Sequence, residues 1–185
     1  MAYGVIVRRP AVTFGPSLPG AGEVGLSYAL LGHDEGTVMS EATDIRTILV
    51  GVDGSDASVE ALRQAQRLAL PLSAKILAVA CWDVPPVYDG YIAMGIDDFD
   101  VRAGEILADT VVKAFGADTP ANVETRLVQG HPRRTLLEES RNADLLVVGR
   151  RGHGGFGGLL LGSVSSALVA HAHCPVLVVH TPEKS

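Results

Sequence analysis

Apolar and polar positions change period along this chain, and the changes mark its elements. Residues 45–52 are mainly apolar and β-branched, which predicts a buried strand. Gly51-Val52-Asp53-Gly54-Ser55 follows as turn chemistry, with Ser55 suited to cap a helix. Ala61, Leu62, Ala65, Leu68 and Ala69 then recur at helical spacing. Residues 75–82 form a second apolar strand, and Pro85-Pro86 with residues 88–95 a long connection. Asp97 or Asp98 caps the next helix, whose apolar face is Ala103, Leu107, Val111 and Ala114. Residues 123–128 alternate as a third strand, and Gly130-His131-Pro132 opens a short helix carrying Leu136 and Leu137. Residues 145–148 are a fourth strand. Val164, Leu168 and His171 share one stripe of a fourth helix, and residues 175–179 form the last strand.

Strand and helix therefore alternate to a final strand. That order predicts an α/β fold: an open, doubly wound, five-stranded parallel sheet with helices on both faces, Rossmann-like, in strand order 3-2-1-4-5. Such sheets bind ligands beyond the carboxyl ends of their strands, at the switch point. The loops after Val52 and Val148 are the two so placed.

Residues 1–43 lack both periods and are rich in glycine and proline, so a poorly ordered extension is expected there. An added strand or helix packed on the domain is the other reading. Met39, followed by Ser40-Glu41, resembles an alternative start. The nucleotide-binding domain is expected over residues 44–181, with 182–185 a tail.

Composition narrows the classes. The 185 residues suit one domain, and 47% hydrophobic content supplies a core. A net charge of −6 argues against broad electrostatic binding to nucleic acid or an anionic membrane, while leaving room for a local positive cluster. Two distant cysteines, Cys81 and Cys174, give no disulfide framework and point to the cytoplasm. No apolar run reaches the roughly 20 residues of a membrane span. Arg8-Arg9 leads into Pro10, Pro16 and Pro19 rather than the apolar core of an export signal.

Residues 148–166 read VGRRGHGGFGGLLLGSVSS. Glycine lets a ligand approach the main chain, successive amides form an anion nest, and Gly162-Ser163 begins a helix whose N-terminus favours phosphate. The P-loop pattern fails for want of a lysine. Gly152, Gly154 and Gly157 match the dinucleotide fingerprint literally, but only one strand follows and no acidic residue stands where the ribose contact belongs.

The spacing G-x2-G-x9-G-[ST] at Gly149, Gly152 and Gly162-Ser163 resembles the ATP-binding signature of the universal stress protein family. The resemblance runs from about residue 43 to 180 and includes ILVGVDGS at 48–55, LLLGSVSSALV, and CPVLVV at 174–179. It implies an ATP-binding regulator or sensor in stress response, working with Mg2+ or Mn2+. The phosphates would lie on Gly149, Gly152 and Gly162 with Ser163 and Val164; Asp53 and Val52 would lie near ribose and phosphates. Cys81 would border adenine, and Val148 falls at the binding position just before the first glycine. It also implies a homodimer through the last strand. Arg150 departs from the small residue usual at its place and receives no role.

Simpler readings stand beside these. Asp53 and Ser163 suit helix caps, Cys81 and Val148 suit core positions, and His153 suits a solvated loop. His171-Ala172-His173-Cys174 has metal-ligand residue types but fits a helix-to-strand turn, and Asp97, Asp98 and Asp100 fit a helix start. Arg150, Arg151 and Asp53 do not make a dedicated catalytic set, and slow ATP hydrolysis is the most they suggest. An adenylating enzyme of related fold would need an S-G-G-x-D-S loop after the first strand, which is missing. A flavin-binding electron carrier would purify yellow.

Overall fold

The computed structural model describes residues 44–83, 98–152 and 160–181. The extension, the connection with Pro85-Pro86, Asp97, His153 and the tail lie outside the described residues. Five strands form one parallel sheet: β1 (Thr47–Val52), β2 (Lys75–Trp82), β3 (Val123–Gln129), β4 (Leu145–Gly149) and β5 (Val176–Val179). Their order is β3-β2-β1-β4-β5, as the alternation predicts. Among the described residues the α-helices are α1 (Asp56–Leu72), α2 (Phe99–Phe115), α3 (Pro132–Glu139) and α4 (Ser163–His171).

Alternate residues of the central strands feed two cores. Ile48, Val50 and Val52 of β1 pack with Ala61, Leu62 and Ala65 of α1 and Leu107 and Val111 of α2. Leu49, on the opposite face, packs with Leu136 of α3 and Leu168 of α4. Small residues on the inner face of α1 let it lie close to the sheet. Gly149 carries this to its limit, since a Cβ there would stand 2.6 Å from Ala57 Cβ and 3.0 Å from the Ala57 carbonyl carbon.

Several local expectations change in three dimensions. Leu68 is 37% exposed, on the rim of the α1 stripe rather than in the core. His171 is exposed although Leu168 is fully buried. Asp98 holds the N-cap position of α2 without a side-chain capping bond, because its φ of −77° and ψ of 30° depart from the extended backbone that cap geometry uses. β3 shows little inward alternation: Glu124, Thr125, Arg126 and Leu127 are all exposed, as suits an edge strand with one neighbour. Among the described residues, no helix is long and apolar enough to cross a membrane.

Candidate functional site

Helices α1 and α2 cover one face, α3 and α4 the other, so the chain reverses its winding between β1 and β4. The crevice expected at that switch point is present as a cavity of about 530 Å³. All nine residues singled out from the sequence line it: Val52, Asp53, Cys81, Val148, Gly149, Gly152, Gly162, Ser163 and Val164. They come from three strand ends, the two loops after β1 and β4, and one helix N-terminus.

The floor of the site is the junction of β1 and α1. Ser55 caps α1, its Oγ accepting from the Ser58 amide at 3.2 Å. Asp53 Oδ1 in turn accepts from the Ser55 amide at 3.1 Å and the Ser55 hydroxyl at 2.6 Å. Asp53 is thus not the cap but the brace of the cap. The Asp53 Oδ2 atom lies where a Cβ on Gly152 would collide with it, so glycine at 152 is what lets the loop after β4 close over Asp53.

The far wall is the N-terminus of α4. Gly162 is its N-cap, with extended backbone (φ −69°, ψ 161°) and no side chain to bond the first turn. Ser163 is therefore the first helical residue and not the cap. The Gly162 amide donates to the Arg150 carbonyl at 2.9 Å, so it is engaged by the loop itself and differs from the amide donor expected there. The amides of Ser163, Val164 and Ser165 begin the helix, where no carbonyl of a preceding turn meets them. Gly162 has an ordinary φ, and a Cβ on it would meet neighbours only at 3.5 Å or beyond, so neither conformation nor packing demands glycine.

Ser165 was not foreseen. It is buried, and its Oγ donates to the Gly149 carbonyl at 2.7 Å, tying the first turn of α4 to the end of β4. The repeated small hydroxyls of Ser163-Val164-Ser165-Ser166 were the available signal. The apolar wall was also missed. Val79 and Ala80 of β2, Ala103 and Ile106 of α2, and Pro132 and Leu136 of α3 join Cys81 along it. Burial pushes the Cys81 thiol from 9.0 up to about 11, against a smaller opposing effect of its hydrogen bond with Thr135. The thiol is therefore neutral at physiological pH and serves as an apolar lining group.

One end of the cavity thus offers a flat apolar enclosure. The other offers helix amides, a glycine-lined approach and the half-buried Arg151. These are complementary to an aromatic ring system and to an anionic group, respectively.

A profile of the universal stress protein family matches residues 44–180. A universal stress protein of Methanocaldococcus jannaschii is 31% identical over 147 residues, covering 75% of this chain and 84% of that protein. One from Mycobacterium tuberculosis is 36% identical over 153 residues; the match covers 77% of this chain and 50% of the relative, so the chain spans half of that protein's length. The solved structure of UspA from Lactobacillus plantarum superposes with a TM-score of 0.61 at 27% identity, covering 73% of this chain and 97% of that one.

Proposed function

The chain belongs to the universal stress protein family, and from that premise we propose that its cleft binds ATP and that the protein acts as a nucleotide-dependent regulator or sensor in stress response. The observation that carries this reading is the meeting, at one cavity, of an apolar wall with a helix N-terminus whose glycine cap leaves the first-turn amides open. Adenine would lie against Val79, Ala80, Cys81, Ala103, Ile106 and Leu136. The phosphates would lie on the amides of Ser163 and Val164, with Gly149, Gly152 and Gly162 giving close access. The cavity volume lies within the range typical of small-molecule sites, about 300–1,000 Å³.

A divalent cation fits the donor set in the ordinary manner for nucleotides, one protein carboxylate plus the phosphates. Asp53 is the carboxylate lining the cavity. When bound, Mg2+ or Mn2+ would neutralise phosphate charge beside that carboxylate. Asp53 holds the turn, and Arg151 adds positive charge; neither is given a catalytic role, and hydrolysis, where it occurs, is slow.

The wider reading is of a homodimer in the cytoplasm. β5 is an edge strand, so Val176–Val179 is open to antiparallel pairing across a twofold axis. Both cysteines are free thiols, in keeping with a reducing compartment. Residues 44–181 form the nucleotide-binding domain in this reading, with 1–43 and 182–185 as appendages.

Calorimetry on the full chain tests the site, after mass spectrometry has verified that no nucleotide is carried over. Adenine-selective binding of Mg-ATP over Mg-GTP is expected, and its loss in the Gly152→Val/Gly162→Val double variant with helical content retained. Nucleotide-free protein that ignores ATP, or a double variant with wild-type affinity, refutes the assignment.

A further inference from the structure

A second depression, of about 830 Å³, lies on the other side of the first turn of α1. Lys113 of α2, Arg150 and Arg151 after β4, and His180 after β5 all line it. These basic residues come from three separate places in the fold, in a chain whose net charge is −6. Arg63 also lines the groove, but it is already committed. Its guanidinium donates to the Lys113 carbonyl at 2.7 Å and the Ala114 carbonyl at 3.3 Å, and stands 3.8 Å from Glu60.

The other basic groups are not so engaged. Among the described residues, ion pairs take up Arg46, Arg63, Lys75, Arg126 and Arg141. Among the described residues, Lys113, Arg150 and Arg151 pair with no carboxylate. Arg150 and Arg151 are moreover half-buried, where an unpaired guanidinium has lost part of its hydration without an anion in return. Arginine at 150, which the resemblance left without a role, faces this groove and not the nucleotide cavity.

We propose that the groove between the N-terminal half of α1 and the C-terminal end of α2, lined by Lys113, Arg150, Arg151 and His180, docks an acidic peptide segment of a partner protein. Peptide chemistry suits the lining better than a phosphate polymer does. The carboxylates of Asp56 and Glu60 interrupt the basic surface and would repel an unbroken line of phosphates. Ala57 and Val59 give small apolar contacts between the charges. A peptide can match that alternation, placing carboxylates on the arginines and lysine and small apolar groups between them.

Arg151 borders both cavities, but Lys113 and Arg150 do not line the first one, so substitutions at these two residues separate the groove from the nucleotide reading. The test is fluorescence anisotropy of a labelled ten-residue peptide of alternating Glu and Ala titrated with the full chain at low salt, without nucleotide. Salt-sensitive binding is expected, weakened about tenfold or more in Lys113→Glu/Arg150→Glu. Lys75→Glu/Arg126→Glu changes the net charge equally, away from the groove, and is expected to leave binding within about twofold. ATP affinity is expected to be unchanged in both variants. Absence of peptide binding, equal loss in the two double variants, or tighter binding of inorganic polyphosphate than of the Glu-Ala peptide would each overturn the proposal.

Discussion

Two strand-to-helix crossings frame the cleft, and they end in opposite ways. The crossing from β1 to α1 takes residues 53–55 and closes on itself: Ser55 caps the helix, and Asp53 holds Ser55 through two bonds. The crossing from β4 to α4 takes residues 150–162 and ends on Gly162, which supplies no capping oxygen. A helix that caps its own amides gains stability; one that leaves them open keeps an anion site at the expense of a cap. The α1 N-terminus carries a side-chain cap, and the α4 N-terminus carries none, which is what the proposed phosphate site requires. Ser165 keeps the open crossing in place by bonding the Gly149 carbonyl, so openness at the tip does not mean looseness at the base.

The largest expected effect probes the wall between the two crossings. With its thiol moved from 9.0 to about 11, Cys81 should be alkylated about a hundredfold more slowly than an unperturbed thiol at neutral pH. The rate should climb as pH rises toward that value, since only the thiolate attacks. Peptide mapping by mass spectrometry separates Cys81 from Cys174, which burial also pushes to about 11. ATP held between the crossings should slow Cys81 further; equal rates with and without ATP would place the nucleotide elsewhere.

Gly149→Ala drives a methyl group into Ala57 and should cost about 1–3 kcal/mol in denaturant unfolding. Wild-type stability would show that β4 and α1 are less closely packed than described. Ser165→Ala leaves the Gly149 carbonyl without its hydroxyl donor and should cost about 1–2 kcal/mol. Its ATP affinity should fall as well, which separates support of the α4 N-terminus from a purely structural bond. Ser55→Ala removes the closed cap, at about 1 kcal/mol of stability.

Gly162→Ser gives the open crossing the ending of the closed one. Stability should rise by a few tenths of a kcal/mol while ATP affinity falls several-fold, as the new hydroxyl competes for the first-turn amides. A change of both quantities in the same direction would remove the trade-off between capping and binding.

Much of this frame was legible along the chain. Unbroken apolar runs mark strands covered on both faces, and the Ser55 cap and Pro132 helix start follow from local backbone chemistry. The nine proposed site residues were legible through the family resemblance that the G-x2-G-x9-G-[ST] spacing carries, while the topology alone picked out only the two loops. Other features were hidden for definite reasons. Leu68 keeps the helical period but sits at the edge of the stripe, where the period alone cannot separate rim from floor. Ala103 and Ile106 look like ordinary positions of α2 until the helix lies across the end of β2. The Gly162 amide looked available until the loop turned its donor onto Arg150.

The sequence by itself determined the principal elements and their parallel, doubly wound arrangement, with a crevice expected at the carboxyl ends of the strands. These depend on short-range periods, on caps and on the parallel winding that alternating strands and helices impose. Only the tertiary structure decided which glycine is needed for packing and which for access, with Gly149 held against Ala57 and Gly162 bounded by nothing so close. It alone brought Lys113, Arg150, Arg151 and His180 to one groove. Contacts between residues far apart in the chain depend on how helices lie across strand ends, and that follows from packing of the whole core rather than from any local pattern.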